Sequence, residues 1–69
     1  MERAVFVSRA GALMAIVKKG RENALCNETI IKRGKTFPRY VKGEMVGWEA
    51  WLPPYEGATF NSPIREGMV

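Results

Sequence analysis

The stretch Phe37–Leu52, FPRYVKGEMVGWEAWL, restricts the fold more than any other part of the sequence. Pro38 pushes Phe37 out of helical space, so the chain emerges extended into Arg39-Tyr40-Val41. Lys42-Gly43 then supplies a tight-turn pair, and Met45-Val46-Gly47-Trp48 can fold back on the first arm. The expectation is a small β-hairpin. Beyond it, Trp48, Trp51 and Leu52 share i, i+3, i+4 spacing, which predicts a helical turn ended by Pro53-Pro54. Both tryptophans are assigned to the core, where each can bury on the order of 200 Å². Phe37, Val41, Val46 and Leu52 are expected beside them.

A chain of 69 residues makes one domain and buries only about 60% of the surface its unfolded form exposes. Chains this short usually need a staple. With one cysteine, Cys26, and no histidine, neither an intramolecular disulfide nor a zinc-type cluster is available, so packing or a partner must hold the fold. Cys26 itself is expected as a small core residue in a reducing compartment. The same composition speaks against catalysis. No Ser/His/Asp or Cys/His set can be assembled, aspartate is absent, no glutamates fall together in a recognisable catalytic motif, and there is no glycine-rich phosphate loop. The expectation is a cytoplasmic binding protein, not an enzyme, with no cofactor, no metal, no secretory signal and no membrane span.

Upstream of the hairpin, Val5, Phe6 and Val7 favour a short strand or extended lead-in over Ala4 to Ser8. Residues 4–18 then support two readings. In one, Ser8 caps a helix that places Leu13, Ile16 and Val17 on its core face and that Gly20 ends, within a polar, turn-like stretch from Lys18 to Asn23. In the other, Ser8 to Gly11 turns a hairpin and Leu13, Ala15 and Val17 alternate as a strand. A second, short helix is predicted from an Asn27 cap to Gly34, with Ile30 and Ile31 inward and Thr29, Lys32 and Arg33 projecting. Residues 1–54 are taken as the domain. Residues 55–69, rich in Gly, Pro, Asn and Ser, read as an irregular or mobile tail that Tyr55, Phe60, Ile64 and Met68 could dock on the body or on a neighbouring chain.

The net charge of +4 is unevenly spread. Residues 18–42 hold Lys18, Lys19, Arg21, Lys32, Arg33, Lys35, Arg39 and Lys42 against Glu22 and Glu28, a net +6, whereas residues 43–69 are net −3. A positive pole of this kind suits a polyanion.

Residues 32–52 carry a resemblance to a known family. Lys32-Arg33-Gly34-Lys35-Thr36-Phe37-Pro38-Arg39, then Val41-Lys42-Gly43, Val46-Gly47-Trp48 and Glu49-Ala50-Trp51-Leu52 resemble the order found in AlpA-like and phage excisionase proteins, a MerR-related group. Phe6-Val7-Ser8-Arg9 with Leu13, and Glu28-Thr29-Ile30, resemble the leads into that family's two helices. The resemblance implies an α+β fold, a small winged helix-turn-helix domain with short helices and a β-hairpin wing. It also implies a closing helix with the second tryptophan. The implied function is sequence-specific binding of double-stranded DNA, as an excisionase (a recombination directionality factor) or transcriptional regulator. Partners would be an integrase or recombinase and further copies of the chain on DNA. Asn27, Thr29, Lys32 and Arg33 would then be major-groove or phosphate contacts. Lys35, Arg39 and Lys42 would serve the wing. The alternative, built on the hairpin reading of residues 4–18, is a small SH3-like β-barrel, a protein-interaction module such as a phage- or plasmid-encoded inhibitor of a host protein.

Overall fold

A computed structural model describes residues 5–65. The elements are α1 (Arg9–Glu22), α2 (Asn27–Arg33), β1 (Lys35–Val41), β2 (Glu44–Leu52) and β3 (Ser62–Pro63), an α+β arrangement of two helices and a three-stranded antiparallel sheet. The helical reading of the N-terminal third therefore holds, and the barrel is excluded. Among the described residues, no helix is long and apolar enough to cross a membrane.

Ser8 starts α1. Its backbone is extended and its Oγ accepts a hydrogen bond from the Gly11 N–H at 3.1 Å, satisfying one of the helix's orphan donors. The helix does not stop at Gly20 but continues through the supposed turn to Glu22. Gly20 is buried at the closest approach to α2, and a Cβ there would lie 2.6 Å from Ile30 Cδ1 and Cγ1. The glycine permits helix packing instead of ending the helix. The real terminus is formed by Asn23, Ala24 and Leu25. Ala24 takes φ 59°, its N–H reaches Arg21 O, and the Leu25 N–H reaches Gly20 O, the two bonds of a Schellman cap with alanine in glycine's usual place.

The inward face of α1 also differs from expectation. Ala12, Ile16 and Gly20 are buried, whereas Leu13 and Val17 are more than 40% exposed. Small side chains at i and i+8 let β2 and α2 approach closely around the single large residue Ile16. In α2 the cap position belongs to Cys26, not Asn27, and Cys26 is exposed instead of lying in the core. Ile30 is buried but Ile31 is 79% exposed, because so short a helix offers the core little more than one position.

The hairpin forms as its turn chemistry requires. Lys42 and Gly43 have φ 52° and 83°, the paired positive values of a type I′ turn. The register runs from Lys35 opposite Trp51 to Arg39 opposite Gly47, then shifts, with Tyr40 opposite Met45 and Val41 opposite Glu44. Val46 is the extra residue of a β-bulge, which bends and twists the distal arm. Every residue from Tyr40 to Val46 is exposed, so this half of the hairpin stands clear of the body.

β2 runs on through Trp51 and Leu52, where a helical turn was expected. Trp48 and Leu52 satisfy i, i+4 spacing in a helix and equally satisfy period-two spacing with Ala50 in a strand. Lys35, Thr36 and Phe37 lie alongside as a hydrogen-bonding partner and decide for the strand. Ala50 and Leu52 are buried, and Trp48 packs partly against the core. Trp51 is half-buried, while Phe37, Val41 and Val46 are about half exposed instead of inside.

The core comprises Phe6, Ala12, Ile16, Leu25, Ile30, Ala50, Leu52 and Ile64. Phe6 joins it through the extended lead-in, whose backbone exchanges two 2.8 Å hydrogen bonds with Trp48. Residues 55–65 are irregular except for β3, and they dock on the body; Met68, also expected to dock, lies outside the described residues. Ser62 and Pro63 pair with Leu52 and Trp51, the Ile64 N–H bonds Ala50 O at 2.8 Å, and Ala58 and Ile64 are buried. β2 is thus central, with β1 on one edge and both Phe6 and β3 on the other.

Candidate nucleic-acid interface

The seven residues singled out from the sequence fall into two groups. On α2, the polar ends of Thr29 and Arg33 turn toward the C-terminal segment. Thr29 Oγ1 donates to Glu56 Oε1 at 2.7 Å. Arg33 donates from Nη1 to Ala58 O at 3.1 Å and from Nη2 to Asn61 Oδ1 at 3.5 Å, while Asn61 Nδ2 donates to Arg33 O at 2.8 Å. Arg33 thereby ties the irregular segment to the end of α2. The open face of α2 consists of Asn27, Glu28, Ile31 and Lys32, all exposed. Lys32 forms an i, i+4 pair with Glu28 at 2.8 Å, a contact of exposed groups worth about 0.3–0.5 kcal/mol.

On the hairpin, Lys35 and Arg39 share one face of β1 with Phe37 between them, and Lys42 sits in the turn. Arg39 Nη1 lies 3.5 Å from Glu49 Oε2, and the other oxygen of Glu49 accepts from Trp51 Nε1 at 3.2 Å. Neither Lys35 nor Lys42 is held in an ion pair among the described residues. The arm therefore presents two uncompensated ammonium groups and one guanidinium with a carboxylate beside it.

Glu56 is a functional-looking residue that sequence reasoning missed. Its carboxylate accepts from the Cys26 N–H at 3.0 Å and from the Thr29 hydroxyl, and so satisfies the N-terminus of a helix that has no local side-chain cap. Cys26 Sγ lies 3.1 Å from the same hydroxyl. The bond from Thr29, followed by that from the Cys26 backbone, holds the Glu56 carboxyl below the usual glutamate range. A depressed folded-state pKa adds stability above the unfolded value, about pH 4.3, and loses it as pH falls through the folded one. Glu56→Gln is accordingly expected to lower the urea midpoint at pH 7, and the difference from the parent should shrink as pH drops from about 5 toward 3. A pH-independent difference would show that the charge on Glu56 does not matter. No signal in the sequence marks this residue, since its partners lie 27 and 30 positions away.

No protein-family model, curated protein or solved structure matches the chain. Among the described residues no group of three or more His, Cys, Asp or Glu is placed to hold a metal ion.

Proposed function

We propose that the protein binds double-stranded DNA through the hairpin arm and the open face of α2, in the manner of an excisionase or transcriptional regulator. The observation that carries this reading is the arm itself. From Tyr40 to Val46 it is free of the body, and it bears Lys42 at its turn, with Arg39 and Lys35 along β1. An extended element of this shape can follow a groove while its cations meet phosphates. The helix–turn–helix–hairpin order supports a winged helix-turn-helix assignment, as does the +6 charge of residues 18–42. The expected closing helix is replaced by the end of β2, so the wing is braced by a sheet.

Within this proposal Lys35, Arg39 and Lys42 are phosphate contacts, and Asn27 and Lys32, the latter exchanging Glu28 for the ligand, are the exposed α2 residues that reach base edges or phosphates. Thr29 and Arg33 act indirectly, by fixing the 56–61 segment against α2. The chain acts in the cytoplasm by binding rather than catalysis, and an integrase or recombinase and neighbouring copies on the DNA are its partners.

Four phosphate-neutralising cations, Lys32, Lys35, Arg39 and Lys42, imply a slope of about −3.6 in log K against log[salt] on duplex DNA. In a mobility-shift series between about 50 and 200 mM salt, the Arg39→Ala/Lys42→Ala variant should bind more weakly, with a slope shallower by about 2. Both side chains project from the sheet, so the variant should keep the parent's circular dichroism spectrum. Absence of duplex binding at the lowest salt, or an unchanged slope in the variant, defeats the proposal.

A further inference from the structure

The sheet has two faces with different chemistry. Thr36, Trp48, Ala50 and Leu52 belong to the side that meets the helices, where Ala50 and Leu52 are buried. The other side carries Lys35, Phe37 and Arg39 from β1 and Glu49 and Trp51 from β2, and none of these five is buried. Phe37 is 50% exposed on this face and Trp51 is half-buried beside it, so part of the area of both rings, each able to hide on the order of 150–250 Å², is left open to a ligand.

The geometry of the two rings narrows its nature. Lys35 opposite Trp51 and Phe37 opposite Glu49 make Phe37 and Trp51 diagonal cross-strand neighbours, with ring centroids 6.5 Å apart and planes at 85°. Trp51 is pinned through its Nε1 to Glu49, and Glu49 is in turn engaged by Arg39. The indole is thus pre-set, and the one carboxylate on the face is already met by a cation. Lys35, Phe37, Glu49, Trp51 and Asn61 line a shallow depression here. Lys35 and Arg39 lie two residues before and after Phe37, about 6.7 Å away on either side along the strand.

The exposed ring of Phe37, with Trp51 edge-to-face beside it and cations two residues before and after along β1, complements a base with its flanking phosphates. A base inside a duplex is already stacked on its neighbours and cannot lie on Phe37. We propose that the open face of the sheet is a stacking site for unpaired bases of single-stranded or locally opened nucleic acid, with Phe37 as the stacking ring, Trp51 bracing it edge-to-face, and Lys35 and Arg39 on the phosphates. This inference rests on the nucleic-acid reading of the hairpin and names the form of nucleic acid preferred. DNA and RNA share the chemistry.

The test measures fluorescence anisotropy of labelled oligo(dT), oligo(U) and a duplex of equal length, at one salt concentration, with the full chain and its Phe37→Ala and Phe37→Leu variants. Both single strands should bind more tightly than the duplex. Both variants should weaken single-strand binding about tenfold, within the range seen when a stacking ring is lost, and change duplex binding less than twofold. Phe37→Leu preserves apolar bulk without a π face, so its effect separates stacking from packing, and circular dichroism confirms that each variant is folded. Tighter binding of oligo(U) than oligo(dT) would assign the site to RNA, equal binding to either strand, and both outcomes support the proposal. Equal affinity for duplex and single strand, unaffected at Phe37, overturns it while leaving duplex recognition standing. Binding of no nucleic acid overturns both. A dimer in gel filtration that Phe37→Ala dissociates, without single-strand binding, would show that a second copy covers this face, and would also overturn it.

Discussion

Replacing Phe6 with alanine should remove most of the protein's stability. Phe6 is completely buried and is among the largest fully buried side chains, with Leu52 and Pro53. Truncating a buried phenylalanine costs about 3–5 kcal/mol through lost transfer energy and the cavity left behind. A chain of 69 residues has about 3–10 kcal/mol in total. The expected result in urea denaturation followed by circular dichroism is a midpoint shifted far to lower denaturant, with a substantial unfolded fraction already present in buffer. A loss below about 1 kcal/mol would mean that the extended lead-in contributes little to the core. Among the described residues, Phe6 exchanges two backbone hydrogen bonds with Trp48 of β2, so its ring and these bonds anchor the lead-in together.

The second large effect is expected at Gly47. Here β2 passes so close to the lead-in that an added Cβ would lie 2.7 Å from the carbonyl oxygen of Phe6 and would overlap the side chain of Val5. One of these obstacles is backbone, which cannot rotate away. Gly47→Ala should push the lead-in off the sheet, break the paired bonds between Phe6 and Trp48, and cost about 1–3 kcal/mol or more, as overpacking does. Amide exchange at Phe6 and Trp48 would speed up while the amides of β1 and the α1 interior keep their protection relative to global unfolding. Because both substitutions act on the docking of one segment, they should be non-additive. Gly47→Ala added to Phe6→Ala should cost much less than it does alone, with a coupling of at least about 1 kcal/mol. Full additivity would mean that the glycine matters for some reason other than the approach of the lead-in.

The hairpin was legible because its signals are local: Pro38 sets an extended arm, and Lys42-Gly43 sets a turn. The start of α1 was legible for the same reason, through the Ser8 hydroxyl. Gly20 misled because its role is tertiary, allowing the approach of Ile30, and a glycine kept for close packing looks in one dimension like a stop. The run Trp48 to Leu52 fits two periodicities, and the choice belonged to the strand lying beside it. At the candidate interface the cations could be found by counting charges, and the Glu28–Lys32 pair follows from spacing alone. The reorientation of Thr29 and Arg33 could not be foreseen, because Glu56, Ala58 and Asn61 reach them from a segment with no periodic pattern.

The central position of β2 bears on how the chain comes into being. The edge of β2 away from β1 is completed by residues drawn from opposite ends of the sequence, Phe6 at Trp48 and Ile64 at Ala50. The first of these must wait through 42 residues of synthesis before its partner strand exists, and the second is made after that strand. A nascent chain that has released only as far as Leu52 carries both helices and the hairpin, but the N–H and C=O groups of Ala50 to Leu52 on that edge remain unpaired, an invitation to foreign strands. The chain is made in one direction but held from the middle, and residues 62–64, made after β2, close the sheet.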